Sequence, residues 1–160
     1  MYVAVVGPGD AASTADVAAA REVGRLLAQA GAIVLTGGLG GVMTAALLGA
    51  QEAGGLTVAL QPGSERVASP AAVVLPTGLG EMRNALLVRC SDAVVAVGGS
   101  WGTLSEIALA QRTGVPVVSL GGWTVHDASG TPAGPPVVRT PAEAVAAVLG
   151  LPESPGRMDS

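Results

Sequence analysis

Residues 93–106 read Ala93-Val94-Val95-Ala96-Val97 and then, without a break, Gly98-Gly99-Ser100-Trp101-Gly102-Thr103-Leu104-Ser105-Glu106. Five apolar residues in succession predict a strand covered on both faces, the kind found in parallel sheets. The glycines predict a turn, and Thr103 three residues ahead of Glu106 predicts a Thr-capped helix. Strand, glycine turn and helix start in that order make a seat for phosphate. Helix-initial amides have no partner inside the helix, the dipole favours an anion there, and glycine lets a ligand approach the backbone closely. A second such loop, Thr36-Gly37-Gly38-Leu39-Gly40-Gly41, follows Ile33-Val34-Leu35. Two glycine loops in one short chain predict a small nucleotide or nucleotide-like ligand held by Gly37, Gly38, Gly40, Gly41, Gly99, Ser100, Gly102 and Thr103.

Outward from these loops, apolar runs alternate with helical patterns. Strands are expected at 2–6, 32–35, 56–60, 72–75, 93–97 and 115–118. The first helix is marked by Ser13 with Asp16 three residues on, by the stripe Val17, Ala20, Gly24 and Leu27, and by Gly31 at its end. Further helices are expected at 42–53, 81–90 and 103–112, and Thr140-Pro141-Ala142-Glu143 predicts a capped terminal helix over 141–149. Residues 122–136, rich in Gly and Pro, read as a surface loop, and 151–160 as a flexible tail behind a single domain over 1–150. This alternation predicts an α/β fold: a Rossmann-like, doubly wound, mainly parallel sheet with helices on both faces. In such a fold the strand-to-helix turns emerge at one edge, where ligands bind. Gly7-Pro8-Gly9, both glycine loops and Arg83 all belong to that edge.

Composition removes several classes of function. All eight basic residues are arginine, so a Walker phosphate loop and a pyridoxal Schiff base both lack their amine. Cys90 and His126 are the only residues of their kinds, too few for a structural zinc site or an internal disulfide, and no metal or cofactor is expected. Cys90 reads as a small buried hydrophobe and His126 as a loop residue. A net charge of −4 without a basic cluster excludes a polynucleotide partner. No run approaches the ~20 apolar residues of a membrane helix, and Met1-Tyr2-Val3-Ala4-Val5-Val6 enters a strand with no charged leader, so a cytoplasmic location is expected. With 49% hydrophobic and 12% charged residues, and a mean hydropathy of +0.55, the chain has few charges to cover a monomer. A homodimer or homotetramer is expected.

Gly7, Gly9 and Ala12 formally satisfy the dinucleotide fingerprint G-x-G-x-x-A. The fingerprint also wants an acidic residue at the end of the second strand, where Leu35 leads instead into Thr36-Gly37-Gly38. Gly7 to Gly9 therefore read as a tight turn bordering the pocket.

The stretches TGGLGGVMTAALLGA, GEMRNALLVRCSDAVVAVGG and GTLSEIALA resemble the LOG (LONELY GUY) family of Rossmann-like proteins, particularly its short bacterial branch, over residues 2–120. Similar short proteins include a molybdenum cofactor carrier. The LOG resemblance implies hydrolysis of a nucleoside 5′-monophosphate to free base and ribose 5-phosphate. It places the family's P-G-G-x-G-T-x-x-E motif on 98–106 and its catalytic arginine on Arg83. Gly98 stands where the family has proline, Ser100 where it has glycine, and Asn84 where it has lysine.

The chemistry also follows from the residues. Breaking an N-glycosidic bond builds positive charge on the ribose, and a carboxylate at Glu106 would stabilise that charge or activate water. Arg83 would clamp the phosphate or orient the carboxylate. Each residue has a plainer alternative: Thr103 and Glu106 as a capping box, Arg83 as a solvated helix charge, Asn84 as a partner of nearby backbone. Trp101 would stack on a base or pack across an oligomer interface, Met43 would line the base pocket or fill core, and Glu81 would pair with Arg83, replace Glu106 as the acid or be a solvated first-turn charge. Three readings stay open: a phosphoribohydrolase, a non-catalytic carrier of a nucleotide or molybdopterin-type cofactor, and a nucleotide sensor.

Overall fold

The computed structural model describes residues 1–150; the tail expected at 151–160 lies outside the described residues. Seven parallel strands form one sheet in the order β4-β3-β2-β1-β5-β6-β7. They are β1 (Tyr2–Val6), β2 (Ile33–Thr36), β3 (Thr57–Gln61), β4 (Val73–Pro76), β5 (Ala93–Val97), β6 (Val117–Leu120) and β7 (Val137–Val138). The helices are α1 (Thr14–Gln29), α2 (Gly41–Glu52), α3 (Arg83–Arg89, preceded by a 3-10 turn at Gly80–Met82), α4 (Trp101–Thr113) and α5 (Pro141–Leu149). The doubly wound α/β expectation is met. Strand order reverses between β1 and β5, so their carboxyl ends open a crevice.

Alternation along the strands divides the core. Val3, Val5, Val34, Val95 and Val97 face α1, α2 and α5, where Val23 and Leu27 are fully buried; burying a side chain of that size stabilises the fold by about 1.5–3 kcal/mol. Ala4, Val6, Leu35, Leu60, Val94 and Ala96 face the other way, onto α3 and α4. The α1–α2 crossing is unusually close. A Cβ on Gly24 would lie 2.0 Å from the Ala46 carbonyl oxygen, and one on Gly49 1.8 Å from that of Arg21. The Arg21–Glu52 ion pair spans the same two helices.

Several elements differ from expectation for local reasons. Helix α4 begins at Trp101 rather than 103, because its cap is Ser100: the Ser100 hydroxyl accepts from the Thr103 amide at 3.2 Å, so Thr103 sits inside the first turn and the Thr-capped helix is corrected. Strand β6 starts two residues late, since the Val115 amide is spent on the Ala110 carbonyl of the helix end at 2.9 Å and Pro116 has no amide. Strand β7, only two residues long, has no alternation for a sequence to reveal. Cys90 is exposed, not buried: it caps the seven-residue α3 at the surface. The Ser13–Asp16 capping box forms as expected.

Candidate functional site

The crevice at the switch point is built by backbone that tolerates no side chains. Gly7 follows β1, and a Cβ there would lie 2.4 Å from the Val97 carbonyl oxygen at the end of β5 and 2.6 Å from Val42 of α2. Its bareness brings both strand ends and the α2 start together. Gly98 follows β5 at φ 66, in the left-handed region, and its amide donates to the Leu120 carbonyl at 3.1 Å. Proline, fixed near φ −65, has no access to that conformation. From Gly98 the chain crosses to Ser100, whose hydroxyl also lies 2.8 Å from the Thr103 hydroxyl, and enters α4 at Trp101.

One turn further, Glu106 is 6% exposed. Its facing cation is Arg83, the first residue of α3, itself 5% exposed, which overturns the reading of Arg83 as a solvated charge. Arg83 lies in a slot made by the second glycine loop: a Cβ on Gly37 would sit 1.7 Å from its Nη1. The Nε and Nη1 groups of this guanidinium are buried without a hydrogen-bond partner. Unmade hydrogen bonds of a buried charge are expensive. Burial pushes the Glu106 carboxyl up to about 7, with Arg83 pulling in the opposite direction; burial likewise lowers Arg83, partly offset by Glu106. The pair is coupled through space without ion-pair contact, so each retains free hydrogen-bonding capacity.

These residues surround a cavity of about 250 Å³. Of those singled out by sequence, Gly7, Gly9, Met43, Glu81, Arg83, Asn84, Ser100, Gly102, Thr103 and Glu106 line it. Others stand behind the wall: Gly37 holds Arg83, Gly38 lies over Gln61 at φ 70, Gly41 approaches the Gly9 and Pro8 carbonyls at φ 57, and Gly40 lies near Asp10. Gly99 packs under the Trp123 ring. Trp101 projects from the start of α4 with 78% exposure, edge-on to Trp123 at 4.9 Å. Asn84 Nδ2 lies 3.5 Å from Ser105 Oγ. Leu39, Pro62 and Gly80 also line the cavity, and sequence reading passed them over. Pro62 follows a strand directly and so carried the same edge signal as Gly7; Gly80 is tied to it by a 3.0 Å bond from its amide to the Pro62 carbonyl, which only the folded chain reveals.

A crevice at the switch point of a parallel sheet, with a helix start and a buried arginine around it, defines a Rossmann-like α/β protein. The chain belongs to the SLOG cluster4 family, whose profile it matches over residues 1–144. An uncharacterized protein of Archaeoglobus fulgidus is 40% identical over 146 residues, 91% of this chain and 92% of that one. The molybdenum cofactor binding protein of Rippkaea orientalis superimposes with a TM-score of 0.81 at 32% identity, covering 93% of this chain and 95% of its own. The molybdenum cofactor carrier protein of Chlamydomonas reinhardtii gives 0.81 at 36% identity, with coverages of 94% and 96%. The expected likeness to a cofactor carrier is thus found, while the narrower LOG assignment rests on the quoted motifs alone. Among the described residues no helix is long and apolar enough to cross a membrane, and no cluster of three potential metal ligands occurs.

Proposed function

We propose that this chain binds a phosphorylated small molecule of the molybdenum-cofactor class as a carrier, without converting it. The observation that carries this reading is a buried arginine, Arg83, that lines one cavity together with Ser100, Gly102 and Thr103 at the start of α4. A phosphate there accepts from Arg83 and from amides near Ser100, and gains from the helix dipole. Overall similarity to two proteins named for molybdenum cofactor binding supplies the ligand class. The pterin phosphate is cargo in this reading; the groups that hold it belong to the chain. Equilibrium binding of a pterin phosphate tests it: Arg83→Met is expected to weaken binding at least about tenfold, with Arg83→Lys intermediate because lysine lacks the planar fork. Unchanged affinity in Arg83→Met refutes it.

One observation favours a second reading, that of a nucleoside 5′-monophosphate phosphoribohydrolase. Glu106 is buried in the same cavity with its carboxyl near neutrality, where an acid–base group works well. A panel of nucleoside monophosphates assayed for released base separates the two. A carrier releases none, whereas a hydrolase releases base and loses that turnover in Glu106→Gln while still binding nucleotide.

A further inference from the structure

The cavity around Arg83 continues past the start of α4. Glu81, Asn84 and Gly102 line it and also line a second cavity of about 380 Å³, whose walls include Met82, Trp101 and Ser105. A phosphate fills only part of the first space, and the two together fall within the few hundred to ~1,000 Å³ that hold a whole small ligand.

The second cavity has a distinct chemistry. Trp101 is 78% exposed, and its only aromatic neighbour, Trp123, meets it at 79°, an edge contact that engages at most one indole face. An indole left open beside a cavity is a platform for a flat ring. Glu81 is exposed on the shared wall, and its carboxylate has no hydrogen-bond or ion-pair partner among the described residues. A carboxylate only accepts, so it repels a second anion and selects a ligand edge bearing adjacent N–H donors. The 2-amino-4-oxo-pyrimidine edge shared by pterins and guanine offers two such donors side by side. Adenine presents a lone pair beside its amino group and would face one Glu81 oxygen with another acceptor.

We propose that the second cavity is a ring subsite for a heterocycle with a 2-amino-4-oxo-pyrimidine edge, with Trp101 covering its face and Glu81 reading its paired N–H donors. The proposal rests on the reading that the ligand's phosphate occupies the first cavity. Calorimetric titration of the full chain with 6-hydroxymethylpterin phosphate, GMP, AMP and ribose 5-phosphate tests it. The pterin ester and GMP are expected to bind at least about tenfold tighter than AMP, the margin a bidentate pair commonly gives. Glu81→Gln should erase that margin, while the loss of its charge shifts ribose 5-phosphate and AMP binding together. Trp101→Leu should weaken only the ring-bearing ligands, by about tenfold. Preference between the pterin ester and GMP identifies which ring the subsite takes. AMP binding as well as both others, or a margin that survives Glu81→Gln, overturns the ring subsite while ribose 5-phosphate binding keeps the phosphate reading standing. No binding by any of the four overturns both.

Discussion

Arg83 and Glu106 respond to burial in opposite ways. The guanidinium keeps its charge near neutral pH although burial depresses its pKa, while the Glu106 carboxyl gives up part of its charge. Because the folded pKa of Glu106, about 7, lies above its ordinary 4.5, the folded state binds the proton more tightly than the unfolded one. Its contribution to stability is complete below about pH 4.5 and is lost as pH rises through about 7, a swing of up to about 3 kcal/mol. Thermal unfolding across that window should show a falling Tm that flattens in Glu106→Gln. Gly37 sets the position of Arg83. An alanine there meets the guanidinium tip at 1.7 Å, and a flexible side chain yields more readily than backbone. Gly37→Ala is expected to cost less than about 1 kcal/mol of stability yet weaken phosphate-ester binding about tenfold, read by denaturation and calorimetry on the same sample. At this scale Glu106 and Arg83 were legible from their places in the motifs; the role of Gly37 was not, since Gly37 and Arg83 meet only across the fold.

Among the elements, α1 and α2 show what small residues accomplish. Gly24 and Gly49 let the two backbones approach so closely that a methyl group at either position strikes a carbonyl oxygen of the opposite helix. Gly49→Ala therefore has no flexible neighbour to move, and despite the better helix propensity of alanine it is expected to destabilise by about 1–3 kcal/mol, seen as a lower denaturation midpoint. The α1 stripe was readable because Ala20, Gly24 and Leu27 repeat at helical spacing, and its Ser13–Asp16 start because capping is a local exchange of hydrogen bonds. The start of α4 was misplaced by two residues for a related reason: Ser100 and Thr103 are both competent caps, and the extended backbone at Ser100, φ −152, decides between them.

For the whole molecule, topology gathers the site and leaves one region bare. Between β3 and β4 the chain forms no helix, so only the seven-residue α3 serves the adjoining part of that sheet face. Tyr2, Val73 and Leu75 remain 48%, 41% and 48% exposed there, and the strand register places all three on the same side. Together with the low charge content, this apolar surface favours self-association. Sedimentation of the purified chain is expected to give two or four copies, with Leu75→Glu shifting it toward one; a wild-type monomer at micromolar concentration contradicts the assembly.

The sequence by itself determined the parallel α/β architecture, the edge of the sheet at which the crevice opens, and the glycine loops, because apolar periodicity, helix caps and backbone bareness are properties of neighbouring residues. Tertiary structure alone decided that Arg83 is buried with donors to spare, that Gly37 makes its slot, and that Glu81 and Trp101 look into one space. Those facts depend on which distant segments the strand order brings together, and on the burial that follows, neither of which any local window of residues encodes.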